Sequence, residues 1–121
     1  MAIVKTSDGM KNGGNINCYT QASAADTAQT CSTDGGQVER LLYITVKYSA
    51  APTQTGVTIT LNSGTAAAYD TLLVTGTANA QNTAYLPDPK IVLRKGDTLD
   101  VVAPAAGGVI TSAVSIFTEA L

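Results

Sequence analysis

The sequence predicts an all-β protein: a single antiparallel β-sandwich, jelly-roll-like, with eight or nine short strands. Three observations predict this fold class. Apolar and polar residues alternate with a period of two, β-branched residues are concentrated in the alternating segments, and turn residues separate these segments at short intervals. The clearest case is the stretch at 38–62, where two such segments flank a proline-containing loop. Its first strand is predicted to place one apolar series on a common face: Leu42, Ile44, Val46 and Tyr48.

The first fifteen residues lack this alternation. They include three glycines, and their apolar anchors are Ile3, Val4 and Met10. This composition predicts an extended N-terminal arm over 1–15, either frayed or ordered by a partner, followed by a β-sandwich domain over 16–121. Because Ile3 and Val4 form a short apolar pair, they are suited to extend the edge of a neighbouring sheet.

Local composition predicts the strands of the first half. We expect a strand at 16–20 and a weaker one at 28–32, where threonine and cysteine follow an alanine-rich turn. A turn at Asp34-Gly35-Gly36 leads into the long strand at 38–49. After the loop at 50–56, the strand at 57–62 alternates aliphatic residues with threonine and asparagine.

Five further strands are predicted in the second half, at 71–75, 83–86, 91–93, 98–102 and 109–118. Pro87 ends the second of these, because proline cannot donate a hydrogen bond to a strand ladder. In the last two, alternation predicts that Leu99 and Val101 point inward and that Val114 and Ile116 share one face. The core is therefore expected to be aliphatic, with tyrosines at its edges.

The chain carries few charges. Charged residues make up 13% of the 121 positions, about half the usual share, and the net charge is −2. Such a composition is typical of a secreted β protein and also of a subunit whose surface is covered by its neighbours, and we favour the second explanation. Without a basic run, nucleic acid is not an expected partner. Neither a membrane-length apolar run nor a signal-peptide core is present, so we expect no membrane association and a site of synthesis and use inside the cell.

The sequence does not decide whether its two cysteines, Cys18 and Cys31, form a disulfide. A bridge between them would stabilise the fold by on the order of 3 kcal/mol in the chain-entropy description, whereas a cytosolic protein would keep both thiols reduced. In a chain without histidine, two cysteines do not complete an ordinary four-ligand zinc site. We therefore predict no metal and no other cofactor.

Catalytic residues are not predicted. The lack of histidine excludes serine and cysteine triads and removes the commonest general base. The candidates for a carboxylate pair are the scattered aspartates Asp70, Asp88, Asp97 and Asp100. The candidates for a calcium site are Asp88 and Asp97 together with backbone oxygens. We expect these side chains to be solvated turn carboxylates and the protein not to be an enzyme.

The segment from Tyr43, YITVKYSAAPTQTGVTITLNSGTAAAYDTLL, resembles small all-β proteins encoded among the structural genes of tailed bacteriophages. The similarity continues through YLPDPKIVLRKGDTLDVVAP, where an extended segment leads into a Lys-Gly-Asp turn and a strand. It covers residues 41–121 and consists of a pattern of strands and turns.

This resemblance implies a capsid decoration, or cement, protein. Such proteins are made in the host cytoplasm, bind the outer surface of the shell formed by the major capsid protein, and usually assemble as homotrimers. We expect part of the capsid contact in the N-terminal arm, at Ile3, Val4, Lys5 and Lys11. The alternative is a glycan-binding module of a head fibre or tail, which would use the tyrosines to stack on sugars.

Overall fold

The structure, a computed structural model, describes residues 3–7, 15–52, 56–74, 81–87 and 90–121. These residues form two antiparallel sheets that enclose a common aliphatic core. The predicted all-β sandwich is thereby confirmed, while its jelly-roll-like strand order stays a prediction. No helix in the described ranges combines the length and the apolar character needed to cross a bilayer.

Ten strands are present in the described part of the chain. In chain order they are β1 (Val4–Ser7), β2 (Asn15–Ala22), β3 (Gln29–Ser32), β4 (Glu39–Tyr48), β5 (Thr58–Asn62), β6 (Thr71–Val74), β7 (Asn82–Tyr85), β8 (Val92–Leu93), β9 (Thr98–Ala103) and β10 (Ser112–Ala120). A turn of 3-10 helix lies at Ala67–Tyr69. The larger sheet has the order β1-β2-β10-β4-β7, with β8 paired to the start of β4, and the smaller has the order β3-β9-β5-β6.

Strand β1 lies inside the predicted arm and corrects that part of the prediction. Val4–Ser7 pairs with β2 within the same chain, with Lys5 opposite Tyr19. Four residues are too few to show alternation in a sequence, and the ammonium of Lys5 finds its partner at Asp34, far along the chain. Residues 1–2 and 8–14 lie outside the described residues, so the arm stays a prediction there.

A β-bulge changes which face of β4 is buried. The pairing of β4 with β10 shifts register between Phe117 and Thr118, and the extra residue on β4 is Leu42. As a result Leu41 is fully buried and Leu42 only partly, which corrects the prediction that Leu42 shares the inward face of Ile44. A bulge adds one residue to one strand. Residues before it therefore point to the face opposite to the one that the alternation after it predicts.

The core lies between the inner faces of the two sheets and is aliphatic, as predicted. Leu99 and Val101 of β9 pack against Val114 and Ile116 of β10, and all four are buried. Tyr48 is buried at the edge of this cluster, where its hydroxyl lies 3.4 Å from the carbonyl of Pro104.

Candidate interaction surface

The side of the larger sheet that faces away from the core has an unusual composition, and we call it the outer face. The register of β1, β2, β10, β4 and β7 places its side chains in three rows across the strands. The rows are Thr6–Cys18–Phe117–Tyr43, Val4–Thr20–Ser115–Thr45–Ala84, and Ala22–Ala113–Lys47–Asn82.

Charge is scarce on this surface. Among the described residues of the three rows, Lys47 is the one charged side chain, and most others are alanine, serine or threonine. An ion pair lies beyond the row that contains Phe117 and Tyr43. In it, Arg40 Nη1 lies 2.9 Å from Glu119 Oε1. Solvated faces usually carry charges in about a quarter of their positions or more. Depletion of charge within a polar rim is instead typical of the core of a protein–protein interface.

An aromatic pair lies at one end of the outer face. The rings of Tyr43 and Phe117 are stacked, with centroids 4.4 Å apart and planes inclined by 19°. Tyr43 keeps 36% of its surface exposed. Tyrosine and phenylalanine on the two central strands of an open face resemble the aromatic anchors that contribute most to binding at interfaces.

The predicted contact residues of the arm are located at the β1 edge of this surface. Ile3 and Val4 are 39% and 54% exposed, and Val4 continues the middle row of the outer face. Lys5 is instead held within the chain: its ammonium pairs with Asp34 at 2.9 Å and lies 5.2 Å from the centroid of the Tyr19 ring. Lys11 lies outside the described residues. Of the predicted contacts, Ile3, Val4 and Lys5 are thus all exposed, and the ammonium of Lys5 is paired within the chain.

A buried polar cluster lies beneath β1. The carboxylate oxygen Oε1 of Glu39, which is 1% exposed, accepts hydrogen bonds from Asn17 Nδ2 at 2.8 Å, Tyr19 Oη at 2.7 Å and Thr118 Oγ1 at 2.8 Å. These groups come from β2, β4 and β10, the three strands that carry most of the outer face. Three hydrogen bonds from two other strands thus meet at one buried oxygen, so the cluster fixes these strands relative to one another.

Charges around Tyr19 extend this cluster to the surface. The Tyr19 hydroxyl lies 3.2 Å from Asp34 Oδ1, and burial together with its hydrogen bond to Glu39 raises the pKa of Tyr19 above its ordinary value. The hydroxyl therefore stays a proton donor across the physiological range. The backbone N–H of Gly36 and the ammonium of Lys5 lower the pKa of Asp34, which keeps it ionised as the partner of Lys5.

The two cysteines are free thiols in the structure, so the disulfide left open above is not formed. Cys18 belongs to the outer face, whereas Cys31 is fully buried in the core, where its Sγ lies 3.7 Å from the carbonyl oxygen of Tyr19. Neighbouring strand residues point to opposite faces, so Cys18 points away from the core that Tyr19 and Cys31 enter. Burial raises the pKa of Cys18, and it raises that of Cys31 to about 11.

Of the three candidate aspartates that the structure describes, Asp70 and Asp97 lie near each other and Asp100 lies apart. Asp100 Oδ1 accepts a hydrogen bond from Ser32 Oγ at the start of β9, and Asp88 lies outside the described residues. Asp70 and Asp97 accept hydrogen bonds from successive backbone N–H groups, those of Ser63 and Gly64. In the described ranges no three side chains of histidine, cysteine, aspartate or glutamate are grouped as metal ligands.

A polar groove lies beside the loop that contains Ser63 and Gly64. It has a volume of about 410 Å³ and is lined by Ser63, Thr65, Arg94, Lys95 and Asp97 together with Leu61, Gly64 and Val92. Asp97 fixes its two walls, because Oδ1 binds the Gly64 N–H at 2.8 Å and Oδ2 the Arg94 N–H at 3.3 Å. The cationic side chains of Arg94 and Lys95 thus line a groove whose backbone is held in place.

The outer face and the Glu39 cluster are absent from the predictions made from sequence. The rows depend on which strands are neighbours in the sheet, and β10 pairs with β2 and β4 from the far end of the chain. The local pattern does not identify the cluster either: the predicted alternation of Leu42 with Ile44 would point Glu39 outward, and the bulge at Leu42 turns it inward with Leu41. A comparison with known sequences adds no family: no protein-family model and no curated protein matches the chain.

Proposed function

We propose that the chain is a non-enzymatic structural protein of a bacteriophage virion. In this proposal it is a capsid decoration protein that binds the outer surface of the major capsid protein shell and stabilises it. The observation that carries the proposal is the outer face, which is depleted in charge and carries a stacked aromatic pair whose tyrosine is exposed. A surface of this composition is suited to contact another protein and has little to offer a reaction.

The β1 edge is the proposed site of capsid contact. Among the described residues, β1 is the end strand of the larger sheet and has a neighbour on one side only, and Ile3 and Val4 add exposed apolar side chains. An extended segment of another protein can pair with such an edge, gaining affinity from backbone hydrogen bonds. Many copies that each bury a modest area would together strengthen the shell.

The test is co-sedimentation of the purified chain with expanded empty capsids of the phage whose genome encodes it. We expect the wild type to bind and Val4→Glu to bind at least about 10-fold more weakly, since a carboxylate would be desolvated at the contact. Val109→Glu is the matched control, because Val109 is 86% exposed in a turn outside the larger sheet. A wild-type chain that stays in the supernatant contradicts the proposal.

The polar groove supports a second candidate function, a glycan-binding module of the virion. Tyr69 is 67% exposed and adjoins Asp70, which holds the groove residue Ser63. A tyrosine ring beside hydrogen-bonding groups is a common arrangement for a sugar. Specific signals on a glycan array that are lost in Tyr69→Ala and kept in Tyr43→Ala would favour this candidate over the first.

A further inference from the structure

We propose that the outer face binds the outer face of a second copy of this chain. The two copies are related by a two-fold axis that lies between the two contacting sheets, passes over Ser115 and runs perpendicular to the strands. The inference rests on the outer face being a protein-contact surface, as in the proposed function, and does not require a capsid. It goes beyond that function because it assigns the occupant of the face and the residues that meet.

The order of the three rows makes the outer face complementary to itself. Ser115 lies in the middle row, with Phe117 and Ala113 two residues away on either side along β10. A two-fold axis over Ser115 exchanges the two outer rows, so Phe117 of each copy meets Ala113 of the other. On β10 a large side chain then faces a small one at both ends of the contact, which is the pattern that allows packed sheets to interdigitate.

Shallow depressions are present where the aromatic side chains would insert. One, of about 270 Å³, is lined by Thr20, Ala22, Ala113 and Ser115 with Val4, Gln21 and Val114. Another, of about 260 Å³, also includes Ala22 and Ala113 and continues to Lys47, Tyr48, Ser49, Thr111 and Ser112. Both depressions adjoin Ala113, the position that the axis places opposite Phe117 of the second copy.

Lys47, the one charged side chain of the three described rows, also meets a favourable partner across the axis. The same axis places Lys47 of one copy opposite Tyr43 of the other, because both residues lie on β4, one in each outer row. An ammonium over a tyrosine ring is a favourable contact that does not require a buried counter-ion. The Arg40–Glu119 ion pair lies beyond the aromatic row and forms part of a polar rim.

The size of the face fits a weak, reversible dimer. Five strands about 4.8 Å apart are roughly 24 Å wide, and three rows, each taking two residues along a strand, span about 20 Å. The projected area is then about 480 Å² per copy, or about 960 Å² in total, which belongs to the class of weak and transient interfaces below ~1,200 Å². The three-fold assembly implied by the resemblance would need two different patches instead, because only a two-fold axis joins a patch to itself.

The first experiment measures the mass of the full chain by sedimentation equilibrium over a range of concentrations. We expect a dimer whose dissociation constant rises about 100-fold or more in Ala113→Arg, where an unpaired guanidinium would be buried. Ala68→Arg is the matched control, because Ala68 is exposed on the 3-10 turn away from the outer face. A monomeric or trimeric wild type, or a dimer that Ala113→Arg leaves intact, overturns the inference.

A second experiment exchanges the two residues that the axis pairs. Phe117→Ala and Ala113→Phe should each weaken the dimer, the first by removing the anchor and the second by overfilling the depression. The double variant restores the pair across the axis, so it should dimerise more tightly than either single variant. The two positions lie about 13 Å apart within one chain, too far for a direct contact to explain such rescue. Additive losses in the double variant contradict the assigned axis.

Outcomes of these experiments and of capsid co-sedimentation are separable. A dimer that meets these tests and fails to bind capsids keeps this inference and rejects the proposed function. A wild-type monomer that binds capsids rejects the inference and keeps the function.

Discussion

The hydroxyl of Tyr19 is the part of the buried cluster that a single substitution tests most directly. Tyr19→Phe removes the donor 2.7 Å from Glu39 Oε1 and keeps the ring in place. Removing one partner of a buried hydrogen bond costs about 1–3 kcal/mol, because the group that stays buried loses its donor. We therefore expect the free energy of unfolding to fall by about 2 kcal/mol.

The corresponding thermal shift follows from the size of the chain. An unfolding entropy of about 2.1 cal/mol/K per residue gives about 0.25 kcal/mol/K for 121 residues, so 2 kcal/mol lowers Tm by about 8 °C. Thermal melts followed by circular dichroism at neutral pH measure this shift, and urea unfolding gives the free energy independently.

Tyr48→Phe is the control, because it removes the same atom from another buried tyrosine. Tyr48 is 6% exposed, and its hydroxyl is 3.4 Å from a neutral carbonyl, at the limit of a hydrogen bond. Its loss should lower the free energy of unfolding by less than about 0.5 kcal/mol. Equal shifts in the two variants, or no shift in Tyr19→Phe, would refute the role given to the Glu39 cluster.

Three further predictions concern packing and pH. Urea unfolding should show that Leu41→Ala lowers the free energy of unfolding by about 2–5 kcal/mol and Leu42→Ala by about 1 kcal/mol or less, because the bulge buries only the first; the reverse order would contradict the register. A Cβ on Gly64 would lie 2.7 Å from the backbone of the opposing turn, whereas one on Gly36 would have its nearest neighbour at 3.4 Å. Gly64→Ala should therefore destabilise by about 2 kcal/mol and Gly36→Ala by much less, and similar Tm values would dispute this close approach. Burial raises the pKa of Cys31 to about 11 from the 9.0 of a free thiol, so unfolding releases its proton more readily and stability should fall between pH 9 and 11. Urea unfolding across that range should show a shallower decline in Cys31→Ala, and an equally steep one would contradict the assignment.

The positions of most strands were predictable because their signal is local. The segment from Ile44 to Tyr48 alternates within a few residues, and such a pattern requires no knowledge of the neighbouring strand. Likewise Pro87 and the turn at Asp34 mark where pairing stops. Nine of the ten described strands overlap the predicted segments for this reason, and the exception, β1, has only four residues.

The candidate site was predictable only in part. Exposure of Ile3 and Val4 agrees with a contact role, which itself stays a prediction. For Lys5, the sequence contains nothing that identifies Asp34 as its partner, since the pair forms only when β1 joins the sheet. The free state of the two cysteines likewise depends on which face of its strand each occupies.

The sequence by itself therefore determined the fold class, the approximate strand bounds and the aliphatic character of the core, because each depends on the order of residues within one short segment. Tertiary structure decided the bulge at Leu42, the burial of Glu39 and the rows of the outer face. These features depend on register between strands as distant as β2 and β10. Register is set by the packing of the whole core, in which a shift of one residue reverses every side chain of a strand.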